Sequence, residues 1–110
     1  MSIIRIVFLG TPAFSAQALK SLHEDPHFEV VGVVTQPDKP QGRKMQMTAS
    51  PVKKYALEQN LIVMTPENIN EESVLNELVN LKAEAAVVVA FGQILSQQFL
   101  DLYPEQVVNV

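Results

Sequence analysis

The sequence has no cysteine and only two histidines, His23 and His27. Without cysteine there is no disulfide, no thiolate-bound zinc and no thiol nucleophile, which suits a reducing compartment. No apolar run approaches the roughly 20 residues that cross a bilayer, and Arg5 interrupts the N-terminal run before it could act as a signal segment. A soluble, cytoplasmic protein with no membrane partner and no metal site is expected. A Gly-x-Gly-x-x-Gly turn and a phosphate-loop lysine are missing as well. Gly10 is followed by Thr11 and Pro12, so close backbone approach to a pyrophosphate lacks its usual basis. Residues 9 to 13 hold no carboxylate, against the paired acids of a response-regulator-like module.

What is present fits one globular domain. The chain has 110 residues, 47% of them apolar and 18% charged, enough to bury a core and unlike a disordered composition. The net charge is -4, but the cations are uneven. Lys39, Arg43, Lys44, Lys53 and Lys54 follow one another without an intervening carboxylate, whereas Arg5, Lys20 and Lys82 are scattered. An acidic body with one basic appendage is the expectation.

The spacing predicts a strand over Ile3 to Leu9, then a helix with Phe14, Ala18, Leu19 and Leu22 inward, Ser15 near its start and Asp25-Pro26 ending it. Phe28 to Thr35 reads as a second strand, and Pro37 to Ala49, rich in proline and polar residues, as a long exposed loop. Ser50-Pro51 opens a helix with Val52, Tyr55 and Ala56 inward. Leu61 to Met64 reads as a third strand. A helix capped by Asn70 follows, with an apolar stripe of Val74, Leu75, Leu78 and Val79. Ala85 to Phe91 reads as a fourth strand, Ser96 as the cap of a brief helix, and Val107 to Val110 as the start of a fifth strand, apolar on both faces. The alternation predicts an α/β fold with a doubly wound parallel sheet and right-handed crossovers, incomplete at its C-terminal side. Ligands of such sheets bind at the carboxyl ends of strands where the strand order reverses. Gly10-Thr11-Pro12, Gln36-Pro37-Asp38, Phe91-Gly92-Gln93 and Asn109 stand at those ends.

Five segments in this order resemble the N-terminal part of the methionyl-tRNA formyltransferases. They are Ile6 to Pro12, Val33 to Pro40 with Gly42-Arg43, Ser50 to Lys53, Val88 to Leu95, and Val108 to Val110. The resemblance implies a Rossmann-like formyltransferase fold, with residues 1–110 as the N-terminal portion of the formyltransferase domain. The rest of that domain and a C-terminal tRNA-binding domain would follow in a longer, monomeric enzyme. It implies transfer of a formyl group from 10-formyltetrahydrofolate to the methionyl amino group of initiator tRNA, with folate and that tRNA as partners.

By the same resemblance, Asn109 is the catalytic asparagine, and Val89, Phe91, Gly92, Ile94 and Leu95 wall the folate pterin. Gly10, Thr11 and Pro12 shape the active-site floor, and Lys39, Arg43, Lys44 and Lys53 contact tRNA phosphates. Met45 and Met47 are flexible apolar residues that could lie against an opened base pair. The sequence departs from the family's pattern at Ala13, Phe91 and Ser96, where an acidic residue, Tyr and Pro are usual. The family's catalytic His and Asp come after Asn109, so residues 1–110 alone are expected to be inactive. Blander readings stand beside these: Asn109 satisfying backbone groups, Gly10 to Pro12 as a simple turn, the basic stretch as a solvated loop. Alternatives for the whole are an inactive remnant, or a folate-dependent formyltransferase acting on a small-molecule amine, for which a basic loop is not required. His23 and His27 read as surface residues.

Overall fold

A computed structural model describes residues 2–110. Five parallel strands form its centre: β1 (Ile4–Gly10), β2 (Phe28–Val34), β5 (Val63–Met64), β6 (Ala85–Val89) and β7 (Val107–Asn109). They lie in the order β5-β2-β1-β6-β7. The chain therefore runs outward from β1 in one direction, returns to its other side, and runs outward again. Right-handed crossovers taken in opposite directions place their helices on opposite faces. Helices α1 (Ala13–Glu24) and α2 (Pro51–Glu58) cover one face, and α3 (Glu72–Leu81) and α4 (Gln97–Leu100) the other.

Period-two alternation in β1 builds both cores at once. Ile6 and Phe8 pack with Leu19, Val52 and Ala56 on the α1/α2 face, while Val7 and Leu9 pack with Leu78, Phe99 and Tyr103 on the α3/α4 face. Both β1 neighbours are parallel. The register against β2 slips between Ile6 and Val7, leaving Val31 as an extra residue. That bulge keeps both Val30 and Val33 on the α1/α2 face.

Several expectations are corrected. Residues 37–49 are not a structureless loop. They contain an antiparallel hairpin of β3 (Lys39–Gln41) and β4 (Gln46–Thr48), joined by a turn in which Met45 N–H donates to Gly42 O at 3.2 Å. Every residue from 39 to 47 is exposed, so the hairpin projects from the domain. Phe14 and Val79 face solvent, being 62% and 54% exposed. Ser15 does not cap α1 but is buried, its hydroxyl donating to Val89 O at 2.5 Å. The cap of α3 falls at Glu71, because the Asn70 side chain is engaged elsewhere. β6 ends at Val89 rather than Phe91, since Ala90 turns the backbone into the left-handed region at φ 51°. β5 is shorter than expected, because Leu61 N–H is taken by Ala56 O at the end of α2. Val108 and Val110 are 54% and 81% exposed, since β7 lies at the sheet edge and has no neighbour beyond it among the described residues. The caps Ser50 and Ser96 are as expected, accepting from Lys53 N–H and Phe99 N–H.

Candidate functional site

The strand order reverses between β1 and β6, so the carboxyl ends of these two strands define the crevice. Gly10 ends β1 under tight constraint. A Cβ there would lie 2.8 Å from both Val89 O and Phe8 Cε2, and 2.9 Å from Ser15 Cβ. Thr11 follows, its hydroxyl donating to Phe91 O at 2.7 Å, which ties the turn after β1 to the turn after β6. Gly10, Thr11 and Pro12 thus lie at the base of the crevice. Thr11 and Pro12 also line a pocket of about 250 Å³ shared with Gln36, Lys39, Gln41, Thr48 and Ser50, where the hairpin meets the domain.

The segment 90–96 forms the crevice wall on the β6 side. Three of its carbonyls are held by side chains: Phe91 O by Thr11, Gly92 O by Gln36 Nε2 at 3.0 Å, and Ile94 O by Asn70 Nδ2 at 2.8 Å. Asn70 Oδ1 closes the clasp by accepting from Ser96 N–H at 2.9 Å. The backbone N–H groups of Gly92, Gln93, Ile94 and Leu95 make no hydrogen bond among the described residues. This wall, α4 and β7 bound an open cleft of about 590 Å³ lined by Phe91, Gly92, Ile94, Leu95, Leu100, Val107 and Asn109, among others. Its volume is in the range of small-molecule sites, and it combines an apolar lining with a few unengaged polar groups.

Of the residues singled out in the sequence, Phe91, Gly92, Ile94, Leu95 and Asn109 meet in this cleft. Ile94 is 88% exposed and presents most of its side chain to solvent. Phe91 is buried, packing with Val88 and Phe99 beneath the wall. Val89 does not join them. Its side chain lies on the other face of the sheet with Ile6, Phe8 and Leu19, as strand alternation requires.

Lys39, Arg43 and Lys44 are exposed on the hairpin, together with Met45 and Met47, each 64% exposed. Lys53 is different. Its Nζ pairs with Asp38 at 2.9 Å, with the side chains 24% and 33% exposed, so it closes the hairpin's base instead of extending its cationic surface. The Thr35 and Ser50 hydroxyls, 2.7 Å apart, close the base on a second side.

Neither histidine approaches the crevice. His27 precedes β2 at the opposite end of the sheet, where its N–H and ring bind Asp25 and hold that carboxyl below its usual range. His23, near the end of α1, stacks edge-on against Tyr55 at 6.2 Å. Among the described residues no cluster of acids and histidines could hold a metal ion. Gln36, Gln93 and Asn70, which fix the wall, carry no local sequence signal of that role, although the two glutamines stand at strand ends.

Residues 4–110 match a family described as formyl transferase. A methionyl-tRNA formyltransferase of Bdellovibrio bacteriovorus is 56% identical over 111 residues, covering all of this chain and 35% of that protein. One from Bacillus licheniformis is 50% identical over 101 residues, covering 92% of this chain and 31% of that protein. The chain thus spans about a third of the length of the curated relatives it matches. Among solved structures, a phosphoribosylglycinamide formyltransferase of Brucella melitensis superposes with a TM-score of 0.72 at 16% identity, covering 98% of this chain and 56% of that one. That last likeness is one of fold.

Proposed function

This chain belongs to the formyl transferase family, and on that premise we propose that it is part of an enzyme moving a formyl group from 10-formyltetrahydrofolate to the amino group of methionine on initiator tRNA. The observation that carries the choice of acceptor is the hairpin. Lys39, Arg43 and Lys44 are all exposed on an element that projects beside the crevice. Exposed lysine and arginine on such an arm neutralise backbone phosphates, and a small-molecule amine would not need them.

The cleft residues fit the donor. Ile94, Leu95 and Leu100 give it an apolar side, and the unengaged N–H groups of Gly92 to Leu95 can meet the acceptor atoms of a flat heterocycle. 10-Formyltetrahydrofolate supplies an activated formyl carbon. Attack by the methionyl amine forms a new C–N bond and builds negative charge on the formyl oxygen before the bond to the folate nitrogen breaks. Asn109 stands in the cleft with its amide free to donate to that oxygen, a contribution of about 10²–10³ in rate for a donor of this kind. A base must also take the amine proton. With His23 and His27 remote from the crevice, the described residues lining the cleft include no histidine or carboxylate, and we propose that this stretch alone is inactive. A cytoplasmic, monomeric full-length enzyme completes the reading. No helix among the described residues is long and apolar enough to cross a membrane.

The test is to incubate the full-length protein with 10-formyltetrahydrofolate and either methionyl initiator tRNA or glycinamide ribonucleotide. Formylation of the tRNA alone is expected. Formylation of the small amine alone would refute the acceptor, and detectable transfer by residues 1–110 would refute the inactivity.

A further inference from the structure

Gln36 follows β2 and Gln93 follows β6, with β1 between these strands, yet their side chains meet head to tail across its end. Gln93 Oε1 accepts from Ile69 N–H at 2.7 Å, while its Nε2 donates to Gln36 Oε1 at 2.8 Å and to Pro66 O at 3.0 Å. Gln36 Nε2 then donates to Gly92 O at 3.0 Å. Both amides have a fixed sense, because a backbone N–H at one end of the series and a backbone carbonyl at the other admit one assignment of O and N. The result is a directed relay from the segment that precedes α3 to the wall of the cleft.

That wall needs holding. Ala90 and Gly92 have φ of 51° and 101°, conformations that persist where the surroundings over-determine them. A Cβ on Gly92 would come within 2.7 Å of Gln36 Nε2, so its absence is what lets the amide seat against the turn. Of the other side chains that clamp the wall, Asn70 comes from a turn apart from the hairpin, whereas Thr11 accepts from Gln36 N–H at 3.4 Å and lines the pocket at the hairpin's foot. Gln36 leads straight into the hairpin, through Pro37 and the Asp38 that pairs with Lys53.

We propose that Gln36 and Gln93 are positioning residues joining the donor cleft to the hairpin, so that RNA on the hairpin strengthens donor binding and the donor strengthens RNA binding by the same factor. This rests on the reading of donor and acceptor given above. The sign follows from shared geometry: Gln36 both holds Gly92 O and leads into the hairpin, so a ligand that favours this arrangement at one end favours it for the ligand at the other. Equality of the two factors is required by linkage.

The experiment uses the full-length protein, 5-formyltetrahydrofolate as a folate that does not transfer its formyl group, and uncharged initiator tRNA. Saturating tRNA is expected to tighten the folate Kd by about fivefold or more, and saturating folate to tighten the tRNA Kd equally. In Gln36→Met, which keeps the side-chain length without the amide, both factors fall to about one while the melting temperature is nearly kept, since Gln36 is only half-buried. Gln36→Glu keeps an acceptor for Gln93 Nε2 but turns a carboxylate oxygen toward Gly92 O, and loses the factor too. A merely structural pair would lower the melting temperature and leave the factor intact. An unchanged factor in either folded variant, or a factor of one in the wild type, overturns the coupling while leaving formyl transfer standing. Failure of the wild type to bind folate or tRNA overturns the functional reading and the coupling with it.

Discussion

Replacing Tyr103 by Phe should stabilise residues 1–110. Tyr103 is 3% exposed, its ring lies 5.5 Å from Phe99, and its hydroxyl has no hydrogen-bond partner among the described residues. A buried hydroxyl left without a partner costs about 1–3 kcal/mol, whereas the ring's packing is common to both residues. Tyr103→Phe is therefore expected to gain about 1–2 kcal/mol near neutral pH, several degrees in Tm for a domain of this size. A second consequence appears in alkali. Burial pushes the Tyr103 phenol from 10.0 up to about 12. The folded pKa is the higher, so the contribution of the neutral phenol is complete below pH 10, where neither state ionises, and is lost as pH rises toward 12. Two pH units at 1.36 kcal/mol each make that loss about 3 kcal/mol. Urea unfolding followed by far-UV circular dichroism, repeated from neutral to alkaline pH, reads both effects. The variant should be the more stable at neutral pH, and the gap should widen above pH 10. Destabilisation by more than about 1 kcal/mol with an unchanged m-value would mean that the hydroxyl has a partner, and would refute the argument.

Gly10→Ala should cost about 1–3 kcal/mol, because the new methyl meets Val89 O and the Ser15 and Phe8 side chains at under 3 Å; an unchanged thermal midpoint would contradict this. Arg43→Ala in the full-length enzyme should weaken tRNA binding and flatten the slope of log K against log salt by about one, leaving folate affinity alone. A filter-binding salt titration with an unaltered slope would remove Arg43 from the interface. Asn109→Ala in the same enzyme should lower kcat by about 10²–10³, since its amide stands in the cleft as an oxyanion donor; wild-type kcat would exclude its donor role.

The central strands were legible because burial on both faces leaves a continuous apolar signature, as in Ile6 to Leu9 and Ala86 to Val89. Ser50 and Ser96 were legible as caps for a local reason, since each accepts from a backbone N–H three residues on. The hairpin was not, because Pro40 opposite Met47 and Gln41 opposite Gln46 have no buried face to impose alternation. Lys53 reads as one more free cation of the basic run for a related reason. The run from residue 39 to 54 has no carboxylate, but Asp38 stands just outside it and closes on Lys53 in space. Val89 stands with the cleft residues in the motif, whereas strand alternation points its side chain away. The clasps of Asn70, Gln36 and Gln93 join residues 24 to 57 positions apart, and no local pattern encodes such pairings.

The exposed hairpin, closed at its base by Thr35–Ser50 and Asp38–Lys53, can open without loss of the domain. Two short strands with no buried face are marginal by themselves, so its opening free energy belongs to the low end of a spectrum whose upper end is set by β1, buried between both cores. Residues of the hairpin and residues that keep the fold intact therefore draw on different reservoirs of stability. Substitutions from Lys39 to Thr48 are expected to leave the melting temperature of the domain where it is, so that segment is free to diversify where β1 is not.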